Sequence, residues 1–366
     1  MIDQRLTSNF NWLFFLVCIG IAILGVVSIY SANHGRPEAF FRGLYIKQVY
    51  WIGYGLIAML FALALDYRWL SRYAYLIYFV TLLALAYVLV NGVVASGARR
   101  WIHIGSISIQ VSEFAKVSLI IALAKYFESG KLSGQYTLKD LFVPALMTAL
   151  LGGLIVVQPD LGTTMMIFFI FLVFVASIEL ATTTLVKLFS GGLMLAPAIW
   201  FFLQDYQKRR LLTLFNPELD PLGAGYHSIQ SKIAIGSGGF WGKGFFAGTQ
   251  SRLNFLPEKH TDFIFSVFAE ETGFLGVVVL LSLFLFIILK GLNIAFRAGD
   301  RFGFFLALGL ISSITFYIIF NVGMTIGLFP ITGIPLPLLS YGGSSLITNF
   351  FAIGLLLNIE MRRTVH

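Results

Sequence analysis

Long apolar runs, divided by short charged segments, set the pattern of this chain. Trp12 to Tyr30 is the first, followed by Val49 to Leu65, Tyr73 to Val94, Val111 to Phe127, Leu141 to Val157, Leu161 to Ile178 and Leu185 to Leu203. After a long polar interval come Phe263 to Leu289, Phe302 to Phe329 and Leu346 to Ile359. A helix needs about 20 largely apolar residues to cross a bilayer, so the pattern predicts ten spanning helices. Strands of a membrane barrel would alternate apolar and polar positions over about ten residues, whereas Leu76 to Val90 and Leu275 to Leu289 are almost continuously apolar. The expected fold is an all-α integral membrane protein, one polytopic unit over residues 1–366, with a large loop (204–262) between the seventh and eighth helices. The first run exceeds the roughly 7 to 15 residues of a cleaved signal's core and reads as a retained anchor.

Composition agrees with this reading. Only 11% of the 366 residues are charged, 58% are hydrophobic, and the mean hydropathy is +0.86; soluble globular proteins carry about 25% charged residues. A single cysteine, Cys18, lies within an apolar run, which excludes an intramolecular disulfide and a multi-cysteine metal site. The net charge is +8, yet the basic residues are scattered between apolar runs. Anionic lipid headgroups or a pyrophosphate are therefore the expected partners, not nucleic acid.

Ten is an even number, so both ends of the chain fall on one side of the membrane. That side carries twelve Lys and Arg residues. The short loops opposite carry five: Arg36, Arg42, Lys47, Arg99 and Arg100. Long loops translocate with little regard to charge, so both termini are expected in the cytoplasm. Residues 204–262, Ala95 to Gln110 and Pro330 to Gly343 then face outward. Tyr226 to Phe246 mixes Ile229, Ile233, Phe240 and Trp241 with Lys232, Lys243 and several glycines, as pieces lying in the headgroup plane do. Gly333 to Ser345, with Pro330, Pro335 and Pro337 nearby, reads as a non-helical segment dipping against the bundle.

The chain has no GxxxxGK[ST] phosphate loop, no HExxH and no CxxC, which argues against an ATP-driven pump and a zinc hydrolase. The pair Gly323 and Gly327 reads as helix packing or a kink. Candidate chemistry rests on charged groups in costly places, since an ionisable residue at the bilayer centre costs at least about 2.5 kcal/mol. Glu113 and Lys116 share a helix face and can pair, either as an internal ion pair or as the lining of a substrate cavity. Asp160 follows Gln158 and Pro159, where it can cap the next helix or serve function. Glu270 and Glu271, inside the eighth span, require a polar interior and a partner. The densest cluster is Glu258, Lys259, His260, Thr261 and Asp262. An N-cap needs only one short polar side chain, whereas Glu258, His260, Thr261 and Asp262 all gather here.

Five segments, in this order, carry a resemblance: GARRWIHIGSISIQVSEFAK from Gly97, QPDLGT from Gln158, GYHSIQSKIAIGSGGFWGKGFFAGTQ from Gly225, FLPEKHTDFIFSVFAEETG from Phe255 and GIPLPLLSYGGSS from Gly333. On them the chain resembles the SEDS family (shape, elongation, division and sporulation), typified by RodA and FtsW, and GTQSRLNFLPE is similar to the RodA branch. Val111 departs from the proline found in many relatives, a change that a helix start tolerates. The resemblance implies a ten-helix glycosyltransferase of the bacterial cytoplasmic (inner) membrane. Such an enzyme polymerises lipid II into β-1,4 glycan for cell elongation and rod shape, releasing undecaprenyl pyrophosphate. It also implies a class B penicillin-binding protein transpeptidase and other elongation-complex proteins as partners, and Asp262 as the catalytic carboxylate.

The chemistry of that reaction fits the residue types. A lipid-linked glycosyl pyrophosphate arrives already activated, so no nucleotide is needed. The acceptor hydroxyl is a poor nucleophile until its proton is removed, and a carboxylate acting as general base is worth roughly 10² to 10⁴ in rate; Asp262 is the expected base. Arg99, Arg100, Lys116, Arg210 or Lys243 would offset the charge on the leaving pyrophosphate. Trp101, Glu113, Asp160, Glu258, His260 and Ser340 are further expected substrate contacts. In a variant of the mechanism, Asp262 with Glu258 ligates Mg²⁺ or Mn²⁺ on the pyrophosphate oxygens. The competing reading is a lipid II flippase, consistent with charges inside spans and the break near Pro335. Against it stand the outer position of the main polar cluster and the absence of a clear inverted repeat.

Overall fold

A computed structural model describes residues 9–34, 43–95, 98–104, 107–130, 134–220, 223–252, 255–256 and 258–363. Arg5, Arg36, Arg42 and Lys131 of the charge count, Gly97 of the first motif and Pro257 lie outside the described residues. The ten predicted spans appear as α1 (Trp12–Asn33), α2 (Leu44–Ala64), α3 (Arg68–Asn91), α4 (Val111–Glu128), α5 (Leu138–Val157), α6 (Leu161–Ala176) and α7 (Thr182–Phe202), then three more after the long interval. That interval holds the short helices α8 (Asp205–Phe215), α9 (Ala224–Ser237) and α10 (Thr249–Arg252). The last long helices are α11 (Ile264–Phe296), α12 (Arg301–Ile326) and α13 (Gly343–Arg362). Among the described residues, seven helices are both long and apolar enough to cross a membrane: α1, α2, α3, α5, α11, α12 and α13. Helix α6 is apolar but has 16 residues, and α4 carries Glu113, Lys116, Lys125 and Glu128.

Local sequence sets the helix ends. Asn11 caps α1 through Phe14 N, Asp160 caps α6 through Thr163 N, and Asp300 caps α12 through Gly303 N, satisfying amide groups that have no partner within a helix. Helix α12 stops three residues short of the predicted Phe329, because Gly327 adopts a left-handed conformation (φ 79°) and closes it. Leu328 N then donates to Gly323 O (2.7 Å), folding the chain back. The Gly323–Gly327 pair is thus a helix stop, where sequence favoured packing or a kink. From there to Gly342 the chain is non-helical, as expected around Pro330, Pro335 and Pro337.

A small antiparallel sheet corrects the expectation that the third span runs to Val94. Helix α3 ends at Asn91, and β1 (Val93–Ala95), β2 (Ala98–Ile104) and β3 (Ile107–Gln110) follow. Strands β2 and β3 pair with Trp101 opposite Gln110 and His103 opposite Ser108. Alternation in RWIHI and ISIQ suits a half-buried hairpin.

The charged rims of the bundle fix its ends together. Asn11 Nδ2 donates to Glu360 Oε1 (3.2 Å), and Glu360 also pairs with Lys290 (2.9 Å). Arg362 pairs with Asp66 at 3.4 Å. The start of α1 therefore lies beside the end of α13, in agreement with an even number of crossings.

The eighth span is not continuous. Helix α11 breaks at Gly273 (φ 66°, ψ −165°), a conformation reached almost only by glycine. The carbonyls of Glu270 and Glu271 accept from Lys243 N (3.0 Å) and Gly244 N (2.9 Å), while Phe274 N and Leu275 N donate to the carbonyls of Gly239 and Phe240. The 239–244 turn thus replaces the hydrogen bonds the helix loses. A Cβ on Gly273 would lie 2.2 Å from Gly242 N. Gly273→Ala is expected to destabilise the protein by at least about 1 kcal/mol from backbone strain alone, read as a lower unfolding midpoint in detergent; an unchanged midpoint would refute this account of the break.

Candidate active site

A tight turn enters α11. Glu258 holds a left-handed conformation (φ 48°), and its carbonyl accepts from Thr261 N (3.1 Å) and Phe263 N (3.4 Å). The Thr261 hydroxyl donates to the Glu258 carboxylate at 3.2 Å. This folding presents Asp262 two residues before the helix, near its positive end.

The non-helical segment after α12 closes over that turn. Ser340 Oγ donates to Thr261 O (2.7 Å) and accepts from Leu336 N (2.8 Å), while Tyr341 N donates to His260 O (2.9 Å). Gly333 (φ 75°) lies against the Asp262 carboxylate; a Cβ there would sit 3.4 Å from Oδ2. From α12, the buried Asn321 donates through Nδ2 to Asp262 O (3.0 Å) and Ile334 O (2.7 Å). The carboxylate is thereby held between a turn and a glycine, partly exposed. Burial, and next the Glu258 carboxylate, push Asp262 up from 3.8 to about 7, opposed by Arg210 of α8 and the Thr261 hydroxyl. His227 of α9 sits edge-on to Phe263 at 6.2 Å; burial holds its imidazole below the usual range against the pull of Asp220 and Glu258.

A second cluster lies deeper. Lys116 Nζ pairs with Glu113 at 2.6 Å and stands 4.2 Å from the Tyr317 ring centroid, and Tyr317 OH donates to Glu113 Oε1 (3.2 Å). Beside them, Asp160 accepts from Gln110 Nε2, Ser112 Oγ and Thr163 Oγ1 at 3.0 to 3.2 Å. All of Glu113, Lys116, Asp160 and Tyr317 are buried. Tyr317 and Asn321 are four apart on α12, hence on one face, so this helix touches both clusters. Ile334 packs on Gly162 at the start of α6, where a Cβ would lie 2.7 Å from its Cγ1. The 330–344 segment therefore bridges the two clusters.

The other candidates lie at the edges of this arrangement. Arg100 of β2 donates to the carbonyls of Gln158 (2.9 Å) and Pro159, and Gln110 N donates to Ser344 Oγ (3.0 Å). The hairpin carrying Arg99, Arg100 and Trp101 is so fastened to the α5–α6 turn and to the start of α13. Arg99 is exposed, donating to Val90 O at 3.3 Å. Lys243 belongs to a different assembly: it pairs with Glu270 at 2.7 Å and bonds the hydroxyls of Ser237 and Thr249. Glu271 accepts from Ser31 of α1. Both glutamates in the eighth span thus have the polar partners their position demanded.

The structure brings Asp262, Glu258, His260, Ser340 and Arg210 together and places Glu113, Lys116 and Asp160 in the adjoining cluster. Sequence reading missed Asn321, Tyr317 and Gly333. The first two interrupt apolar runs, and a polar residue inside a span is the signal that finds them. Helix α13 begins beside this site and ends beside Asn11, so its 20 residues separate the site from the Asn11–Glu360 contact by about 30 Å.

Comparison with known proteins gives consistent matches. The FtsW/RodA/SpoVE "cell cycle protein" family matches residues 11–365. Peptidoglycan glycosyltransferase MrdB of Escherichia coli K12 is 38% identical over 357 residues, covering 95% of this chain and 92% of that protein. Peptidoglycan glycosyltransferase RodA of Treponema pallidum is 34% identical, covering 98% and 99%. Among solved structures, a chain from a study of how a peptidoglycan synthase complex coordinates polymerization and crosslinking superposes with a TM-score of 0.82 at 35% identity, covering 98% and 99%. The rod shape determining protein RodA of Thermus thermophilus superposes with a TM-score of 0.71 at 31% identity, covering 98% of each chain.

Proposed function

As a member of the FtsW/RodA/SpoVE family, this chain is a peptidoglycan glycosyltransferase of the membrane, and we propose that it polymerises lipid II on the outer face with Asp262 as general base. Both termini are then cytoplasmic, on the face where Asn11 meets Glu360. The observation that carries this reading is the placement of one partly exposed carboxylate, raised to about 7, between the α11 turn and Gly333. A base near the working pH is both available and effective.

The acceptor sugar hydroxyl attacks the anomeric carbon of the donor. The new C–O bond forms as the bond to the pyrophosphate oxygen breaks, the hydroxyl proton passes to Asp262, and undecaprenyl pyrophosphate departs. One displacement inverts the α-linked donor to a β-1,4 link. Arg210, near enough to Asp262 to act on its charge, is the cation best placed to offset the leaving group. Arg100 already bonds two carbonyls and serves to hold the hairpin. The joining of glycan strands falls to a class B penicillin-binding protein transpeptidase working beside this chain.

Glu258 and Asp262, whose charges act on each other, are the two carboxylates that would hold a divalent ion, with no third acidic, His or Cys ligand grouped with them among the described residues. Mg²⁺ commonly uses one or two carboxylates and completes its shell with substrate phosphate oxygens, and when bound it would withdraw charge from the leaving pyrophosphate. Polymer formation by the purified chain in detergent tests the enzyme against a flippase, since no membrane is present to cross. Glu258→Gln is expected to shift the acid limb of kcat/KM to lower pH, because removing a like charge lowers the pKa of Asp262. Metal titration completes the test: full activity in chelator excludes the ion, whereas a saturable requirement weakened by Glu258→Gln assigns it to these carboxylates.

A further inference from the structure

We infer that Asn321 is a positioning residue for the Asp262 carboxylate, acting through the main chain on both sides of it. This inference rests on Asp262 being the base.

Asn321 lies within α12, where its neighbours Phe320 and Val322 are apolar and its own side chain is 0% exposed. A buried amide is costly unless its groups are paired. Here both useful bonds come from one nitrogen: Nδ2 donates to Asp262 O at 3.0 Å and to Ile334 O at 2.7 Å. The amide oxygen has no hydrogen-bond partner among the described residues. The side chain is thus retained for its two donors, and these go to the residue bearing the carboxylate and to the residue after Gly333. Gly333 is the backbone that the carboxylate faces. A single NH₂ therefore fixes the spacing between the base and the wall opposite it.

The contact cannot be replaced locally. Asp262 precedes the first helical residue, Ile264, so no preceding turn of helix holds its conformation. The other ties across this junction, Ser340 to Thr261 O and Tyr341 N to His260 O, fasten the residues before it. Among the described residues, Asn321 is the side chain whose hydrogen bond reaches the carbonyl of Asp262 itself. The groups that set the carboxylate's charge, Glu258, Arg210 and the Thr261 hydroxyl, come from α8 and the turn. A shift of Asp262 within the turn, which the bond from Asn321 to its carbonyl opposes, changes its distance to all three.

The test uses Asn321→Leu, close in shape and without donors, and Asn321→Ser, smaller and retaining one donor. Both are purified in detergent beside the wild type and Asp262→Asn, with lipid II as substrate. Displacing a catalytic group by about 1 Å costs on the order of 10²-fold in rate. Asn321→Leu is expected to lose about that factor in kcat with little change in KM, and the acid limb of its pH profile is expected to move. Asn321→Ser should fall between it and the wild type. Should Asn321→Leu not fold, the Ser variant decides by the same two readouts. Wild-type kcat in either folded variant, or a loss of activity with an unmoved acid limb, overturns the inference. If instead Asp262→Asn still polymerises lipid II, the assignment of the base has failed, and that outcome is distinct from a failure of Asn321 alone.

Discussion

Asp262→Asn is expected to abolish glycan polymerisation while the protein stays folded. The amide keeps the size of the carboxylate but cannot accept a proton, so the loss should reach the 10² to 10⁴ that a general base supplies. The same variant should be more stable than the wild type at neutral and higher pH. The sign follows from the raised value: with a pKa of about 7 in the fold against 3.8 when unperturbed, the folded state favours the protonated acid. Its stabilising effect is complete below about pH 4, is lost as pH rises through 7, and is absent above it. Asparagine does not ionise and escapes that loss. Thermal unfolding of both proteins at pH 5 and pH 8.5 checks this, and an equal difference at the two pH values would contradict it. A site that gains stability when its reactive group is neutralised has sacrificed stability for function.

Breaking the Glu113–Lys116 pair is expected to have the largest effect on stability. Both side chains are almost inaccessible, and removing one member of a buried pair strands the other charge, at a cost of about 3 to 5 kcal/mol. Among the described residues, Lys116→Met leaves Glu113 the Tyr317 hydroxyl at 3.2 Å as its side-chain partner and also removes the cation over the Tyr317 ring. The double variant Glu113→Gln, Lys116→Met should recover much of the loss, because no isolated charge remains. Unfolding midpoints of the two single variants and the double variant give the coupling directly. Single variants as stable as the wild type would mean that the pair is bathed in water and lines a cavity, the alternative the spacing alone left open.

The spans were legible because each is a nearly unbroken apolar run, and lipid requires the backbone within such a run to be helical. Their ends were legible where capping chemistry is local, as at Asp160 and Asn11, and misplaced where it is not. Val93 and Val94 extend the apolar run of α3, yet they pair with β2. The clue was available: Ile104 and Ile107 flank Gly105-Ser106, a two-residue connection with glycine first, which favours a hairpin. The break at Gly273 was invisible, since the partners that replace its hydrogen bonds lie some 30 residues earlier, in the 239–244 turn.

The candidate cluster around Asp262 was legible for a similar reason. Glu258, His260, Thr261 and Asp262 are neighbours in sequence, so their concentration shows without a fold. What makes the cluster a site is remote: Arg210, Asn321, Gly333 and Ser340 reach it only through packing of α8, α12 and the segment before α13. The Asn321 signal was weak because one amide in 26 residues of α12 also fits a helix-packing contact. Glu113 and Lys116 could be paired from spacing alone, but Tyr317 and Asp160, which complete their surroundings, come from two other helices.

The pH dependence of kcat/KM for lipid II polymerisation by the purified protein in detergent tests the role of Asp262 most directly. A base raised to about 7 predicts a rate that falls tenfold per pH unit below that value and levels off above it. A rate that stays flat from pH 5 to pH 8 would contradict it, since no group titrating near neutrality would then be required in its ionised form.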